Sequence, residues 1–267
     1  MDKLKAISKA LLFGLIMFAF LALSALIAKL MKLSPARTYV FQGACMLLSA
    51  VVPLLYIGKV GYGCADVGLN KPTKSGMKSI LFYIPLILCL IPIFIIDFKK
   101  SGSTKLLIVA LFYYGCIAVA TQIYFRGVVQ PSLRGKMPVL ACALLSALIF
   151  ALADMHYLNH IISYKRNIIL GLVVFAYAAV EYVIIENKGN ILFTIIFNAL
   201  FFFIGTCFII TGKKMVIALF ISCVVLLIYG IYMLIMYSKN NKPIIHEDFK
   251  DTDNIEIENT LEASHEE

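Results

Sequence analysis

Polar and ionisable side chains interrupt several long apolar runs of this sequence, and they are the groups whose chemistry the chain could use. Placing a charged group in hydrocarbon costs about 2.5 to 3.5 kcal/mol even on lenient insertion scales. We therefore expect these side chains to face the interior of a helical bundle and to have partners. They are Thr121, Gln122, Arg126, Asp154, Glu181 and Asn198.

Two of these groups share one helix face. Gln122 and Arg126 are four residues apart, with Thr121 beside them, so their side chains point in one direction. Asp154 ends the next apolar run, and an arginine fork against a carboxylate offsets the desolvation of both groups. We therefore predict that Arg126 and Asp154 form an ion pair that clamps two helices. Asn198 is predicted to make an interhelical hydrogen bond, worth about 0.6 to 2 kcal/mol.

The composition predicts elements that lie in a membrane. Of the 267 residues, 61% are hydrophobic and 15% are charged, and the mean hydropathy is +0.92. Each apolar run is close to the ~20 residues that cross ~30 Å of hydrocarbon as a helix. We therefore predict an all-α, polytopic transmembrane bundle of about eight helices. The runs cover residues 10–30, 39–57, 79–96, 105–125, 137–154, 168–185, 191–211 and 214–237.

Charge is distributed unevenly along the chain, whose net charge is +9. Nine of the 15 acidic residues follow residue 246. We therefore predict a transmembrane domain over 1–243 and an acidic, disordered tail over 244–267. The basic body suits anionic headgroups and nothing resembles a nucleic-acid-binding fold, so the predicted partner is the lipid bilayer of a cell membrane. A small excess of Lys and Arg predicts cytoplasmic termini for this multi-pass protein.

Three segments of the sequence resemble a known family. They read "TQIYFRGVVQPSL", then "LLSALIFALAD", then "IILGLVVFAYAAVEYVIIENKGNILFTIIFNAL". In order and spacing they are similar to the conserved half of the CPBP intramembrane proteases, which include the type II CAAX prenyl endopeptidases and the bacteriocin-immunity-related Abi proteins. The likeness covers roughly residues 60–210. It implies a helical membrane scaffold built around an intramembrane hydrolytic site.

Three motifs define that site in the family. They are Glu-Glu-x-x-x-Arg, Phe-x-x-x-His and His-x-x-x-Asn. The resemblance places the first on Thr121, Gln122 and Arg126, the second on Phe150 and Asp154, and the third on Asn198 and Phe202. Of the residues that the family motifs specify, only Arg126 and Phe150 are present. Both glutamates, both histidines and the motif asparagine are replaced.

The replacements change the chemistry that the resemblance implies. In the family, a glutamate is taken to deprotonate a water that histidines orient, with or without a bound metal. Thr121 and Gln122 cannot accept a proton at neutral pH, Asn198 is a poor metal ligand, and Phe202 gives an oxyanion no donor. We predict that no proton acceptor remains where these helices meet. The first hypothesis is therefore a protein without metal or cofactor that binds a hydrophobic or lipidated peptide, or another membrane protein.

Two other hypotheses remain open. A divergent endopeptidase could use Asp154, Glu181 or the pair His156 and His160, whose spacing of four suits a shared zinc ligand face. Zinc enters only under this hypothesis. We interpret the histidines as interfacial residues and Glu181 as a structural or snorkelling carboxylate. A transporter or channel is the third hypothesis, although the sequence shows no inverted repeat or broken pair of helices.

Overall fold

A computed structural model describes residues 2–61, 78–89, 103–153, 164–188, 191–207 and 213–240. These ranges are mainly helical, with short turns between helices, and they contain no strand. The prediction of an all-α bundle is therefore confirmed. The acidic tail, together with Asp154, His156 and His160, lies outside the described residues, so what we predicted for them stays a prediction.

Ten α-helices and two short irregular helical turns follow one another in these ranges. In chain order the elements are α1 (Asp2–Leu30), α2 (Pro35–Ser49), α3 (Val51–Lys59), a 3-10 turn (Lys78–Phe82), α4 (Ile84–Leu88), α5 (Thr104–Tyr124), a π-helical turn (Phe125–Val129), α6 (Gln130–Leu133), α7 (Val139–Ala153), α8 (Tyr164–Lys188), α9 (Ile191–Cys207) and α10 (Lys213–Asn240).

The consecutive elements join into eight helical units, as the apolar runs predicted. The elements α2 and α3 form one unit, and α5, the π turn and α6 form another. Within the described ranges, four units have the length and hydropathy needed to cross a membrane, and they lie at Asp2–Leu30, Pro35–Lys59, Thr104–Leu133 and Ile217–Lys239. Several units are longer than the runs that predicted them, because helices continue into the polar interface where hydropathy falls.

A proline fixes the contact between α2 and α5. Pro53 has no N–H to donate to the carbonyl of Ser49, four residues earlier. That carbonyl instead accepts a hydrogen bond from the hydroxyl of Tyr124, at 2.9 Å. At the other end of the contact, the rings of Tyr39 and Tyr113 lie 5.0 Å apart. The two helices therefore run side by side in the same direction.

A second proline explains the π turn in the middle of the site-bearing unit. In a regular α-helix the ring of Pro131 would clash with the carbonyl of Gly127. The chain widens instead, and the amide of Gln130 donates to the carbonyl of Phe125, five residues back. Such turns occur often at functional sites. This one contains Arg126, which lies in the interior of the bundle and is only 3% exposed.

Helices α5 and α8 form the two sides of the region that holds the polar residues. α5 packs against α2 and α9, whereas α8 packs against α7 and α10. Small residues permit close approach elsewhere in the bundle. A Cβ added to Gly14 of α1 would overlap the Cγ2 methyl of Ile149 in α7. We infer that α1 and α7 are held at a separation that only glycine allows.

We predict that Gly14→Ala lowers the stability of the protein by about 1 to 3 kcal/mol, because the added methyl overpacks the contact with Ile149. Gly115→Ala is the matched control, since a Cβ there meets nothing within 4 Å. It should leave stability unchanged or raise it slightly. Thermal unfolding in one detergent measures both. In an Ile149→Ala background the cost of Gly14→Ala should disappear, and an equal cost in both backgrounds would contradict the close contact.

Candidate functional site

Arg126 lies at the centre of a buried polar cluster between the π turn and α8. Its Nη2 donates to Oε2 of Glu181 at 2.6 Å and to the carbonyl of Ala178 at 3.3 Å. Its Nη1 donates to Oε1 of Gln130 at 3.1 Å, and its Cζ lies 6.0 Å from the ring centre of Tyr182. The guanidinium charge is therefore balanced by a carboxylate, two carbonyl-type oxygens and an aromatic face.

Glu181 is held from two sides. Besides the ion pair with Arg126, it accepts from Nε2 of Gln122, which lies 3.1 Å from Oε1 and 3.2 Å from Oε2. Gln122 and Glu181 are both fully buried. The carboxylate thus makes charge-assisted contacts with two side chains that are four residues apart on one helix.

A third helix reaches the same cluster through weaker contacts. Nδ2 of Asn198 in α9 donates to the hydroxyl of Thr121 at 3.5 Å, and that hydroxyl donates to the carbonyl of Ala118 within its own helix at 3.2 Å. Both side chains are fully buried. The interhelical hydrogen bond predicted for Asn198 is present, although its length makes it a weak one.

The remaining family positions lie in an aromatic cluster beside the polar one. The ring of Phe150 lies 4.9 Å from that of Phe125 and 6.4 Å from that of Phe202. The ring centre of Phe201, which precedes Phe202 in the chain, lies 4.0 Å from that of Tyr177 in α8. Phe202 therefore fills with a ring the position where the family resemblance places a hydrogen-bonding asparagine.

A second carboxylate extends the polar cluster toward the end of α8. Oε1 of Glu186 accepts from Nε2 of Gln130 at 2.5 Å and from Nη2 of Arg134 at 2.8 Å. Sequence reasoning missed this part of the site. The signal was available, because Gln130 and Arg134 continue the spacing of four that links Gln122 to Arg126.

Four buried atoms in this region have no hydrogen-bond partner in the described part of the chain. They are Oε1 of Gln122, Nε of Arg126, the hydroxyl of Tyr177 and Oδ1 of Asn198. Leaving such a group unpaired costs about 1 to 3 kcal/mol. The cluster therefore keeps two acceptors, one donor and one hydroxyl that neighbouring helices do not use.

The described residues do not fit a zinc ion. Zinc sites in proteins use three or four thiolate, imidazole or carboxylate ligands. No group of three His, Cys, Asp or Glu side chains that could hold a metal occurs among the residues with defined positions. The one carboxylate at the centre of the cluster, Glu181, is bound to Arg126. We therefore derive no step through a metal at this cluster.

The structure corrects one of the sequence expectations and leaves another untested. The prediction that no proton acceptor remains where the helices meet is wrong, because the carboxylate of Glu181 lies there. Glu181 is also the described carboxylate partner of Arg126, whereas the pairing predicted with Asp154 involves a residue outside the described ranges. The interpretation of Glu181 as a structural partner agrees with its contacts.

Residues 103–204 match a family model described as type II CAAX prenyl endopeptidase Rce1-like. This match supports the CPBP family for the segment. A search of curated proteins found no match to the chain. The CPBP segment contains the whole polar cluster, and together with the four long apolar helices it identifies a membrane protein with a CAAX-endopeptidase-like domain.

We predict that Arg126 and Glu181 stabilise this CPBP domain only as a pair. Arg126→Gln and Glu181→Gln each leave one buried charge unpaired, and each should cost about 3 to 5 kcal/mol. The double variant should lose much less than the sum. Arg134→Gln is the control, since its side chain is 25% exposed and Glu186 keeps its hydrogen bond from Gln130. Thermal unfolding of the wild type, the two single variants, the double variant and the control measures these losses. Additive losses of the two single variants in the double variant would contradict the coupling.

Proposed function

We propose that this protein is a multi-pass membrane protein that uses a CAAX-endopeptidase-like scaffold to bind an apolar or lipidated peptide, or a partner membrane protein, without cleaving it. The observation that carries the proposal is that Glu181 is buried and bound by two other side chains. Its two oxygens bind Arg126 and Gln122, and the side chain has no exposed surface. A general base for hydrolysis needs an oxygen within reach of a water and of the substrate.

The charge balance of the cluster supports the same proposal. The family motif would place carboxylates at positions 121 and 122, on the helix that carries Arg126. In this chain those positions hold Thr121 and Gln122, and the carboxylate comes from α8. The guanidinium keeps a counter-ion, but the acid that reaches it is occupied by the ion pair. The ion pair thus preserves the scaffold without requiring Glu181 to take part in a reaction.

Hydrogen-bonding groups that the described helices leave unpaired support the proposal that the protein binds a peptide or a partner. An apolar segment in a membrane has backbone groups that hydrocarbon cannot satisfy. The free acceptors on Gln122 and Asn198, and the hydroxyl of Tyr177, could contact such a backbone or a polar side chain of a partner. Access would require α5 and α8 to separate locally. The aromatic rings of Phe150 and Phe202 would meet apolar side chains or a prenyl group.

A divergent endopeptidase remains the second candidate, because one observation favours it. Glu181 is an acid among polar groups with spare hydrogen-bonding capacity, and activity would follow if substrate binding displaced Arg126 from it. Under this alternative Glu181 is the general base. Zinc, if it takes part, would need ligands beyond the described residues. The orientation with both termini in the cytoplasm, at a cell membrane, belongs to the proposal in either case.

We expect the full-length protein, purified in detergent, to leave prenylated and hydrophobic peptides uncleaved with or without added zinc, because Glu181, the carboxylate at the centre of the described cluster, is held by Arg126 and Gln122. An active type II CAAX endopeptidase, assayed in parallel, shows that the conditions support cleavage. Mass spectrometry of the peptides detects the products. Cleavage by the wild type would overturn the proposal. Loss of that cleavage in a Glu181→Gln variant whose thermal unfolding shows that it is still folded would assign the role of base to Glu181 and establish the alternative.

We also expect Asn198→Leu to weaken binding of a photoactivatable prenylated or hydrophobic peptide by about fivefold, the effect of one lost hydrogen bond. Thr194→Val is the matched control on the same helix. Its hydroxyl is buried but donates to the carbonyl of Ile191 in its own turn at 2.6 Å, so it offers nothing to a ligand. Crosslinking yield against peptide concentration measures both, and equal weakening would argue against a site at Asn198.

A further inference from the structure

A cavity of about 470 Å³ lies where α1 ends and α2 begins, with α5 closing its inner side. Its volume is in the range of small-molecule sites in proteins. The wall on α5 includes Tyr114, which precedes Arg126 by twelve residues, or about 18 Å along a helix. The cavity is therefore separate from the polar cluster, and nothing in the proposed function uses it.

The charge of this cavity has one sign. Lys29 and Lys32 both line it, and no acidic residue does. Both lysines are exposed, and neither forms an ion pair with another residue of the described ranges. Two ammonium groups at one opening favour an anion, because the described residues that line the cavity supply no counter-charge.

The backbone at the opening adopts a conformation that favours glycine. Lys32 has a φ of 51°, in the left-handed region that L side chains rarely occupy. The amide of Leu33 donates to the carbonyl of Ala28 at 3.1 Å, and that of Lys32 to the carbonyl of Lys29 at 3.1 Å. This bonding is typical of a helix end closed by glycine. The chain carries a lysine there instead, at the mouth of the cavity.

A buried amide in the cavity wall has no hydrogen-bond partner among the residues that the structure describes. Gln42 of α2 lines the cavity and is only 6% exposed. Its side chain makes no hydrogen bond to another residue of the described part, and the residue forms part of the cavity wall. Buried amides in proteins are normally paired, so this one is available to a ligand that enters past the lysines.

We propose that this cavity binds the headgroup of an anionic phospholipid. The phosphate lies between Lys29 and Lys32, and the amide of Gln42 contacts a glycerol or ester oxygen deeper in. The acyl chains leave along α1, where Leu26, Ile27 and Leu30 are exposed. A zwitterionic lipid is a poorer occupant because its own cation opposes the lysines. A free phosphate would leave the apolar side of the cavity unused.

Titration of the full-length protein with phosphatidylglycerol or phosphatidylcholine in a neutral detergent tests the proposal, with bound lipid counted by native mass spectrometry. We expect one tightly retained phosphatidylglycerol. The double substitution Lys29→Gln with Lys32→Gln should weaken it roughly 30-fold, since two cations near the headgroup are lost. Gln42→Leu should weaken it about fivefold while the protein stays folded.

Matched controls separate this site from general attraction to the basic surface. Lys3→Gln with Lys5→Gln removes the same charge from the other end of α1, about 36 Å away, and should leave retention unchanged. Equal weakening by both double variants would overturn the proposal. So would equal retention of the two lipids. Displacement of phosphatidylglycerol by inorganic phosphate would assign the cavity to a free anion and reject the lipid.

Discussion

The buried contact between Arg126 and Glu181 is the interaction that the arrangement of the central helices depends on. A guanidinium inside a helical bundle is tolerated only beside an anion and several acceptors. Meeting that requirement fixes the π turn against α8, and the same register brings Gln130 opposite Glu186. The ion pair thus links the π turn to α8, while α5 packs against α2 and α9 and α8 packs against α7 and α10.

Hydropathy was enough to predict the helical units of the described ranges, since each apolar run corresponds to one of them. Their ends were less predictable, because charged first turns such as that with Lys3 and Lys5 continue the helix beyond the hydrocarbon. Arg126 stood out because it interrupts an apolar run. Its partner did not, since neighbouring runs suggested Asp154, whereas the described partner, Glu181, lies 55 residues further along. Adjacency of helices in space is not encoded in the hydropathy of either one.

The aromatic part of the site was also predictable only in part. Phe150 and Phe202 could be located through the family resemblance, but not their packing with Phe125, which results from the widened turn that Pro131 imposes. The polar part differs from the family motif mainly in where the acid originates. Moving a carboxylate from one helix to its neighbour preserves local neutrality, and with it the scaffold, while the acid becomes occupied. Conservation of a fold and retention of its chemistry are therefore separable in this bundle.

The separation of the two charges along the chain has a consequence for biogenesis. Arg126 is synthesised 55 residues before Glu181, and at about 5 to 20 residues per second this delay lasts roughly 3 to 11 seconds. During that interval the nascent helix carries a cation without its anion. We therefore expect it to stay close to the translocon or the aqueous interface until α8 emerges, so that the two helices enter the lipid as a pair.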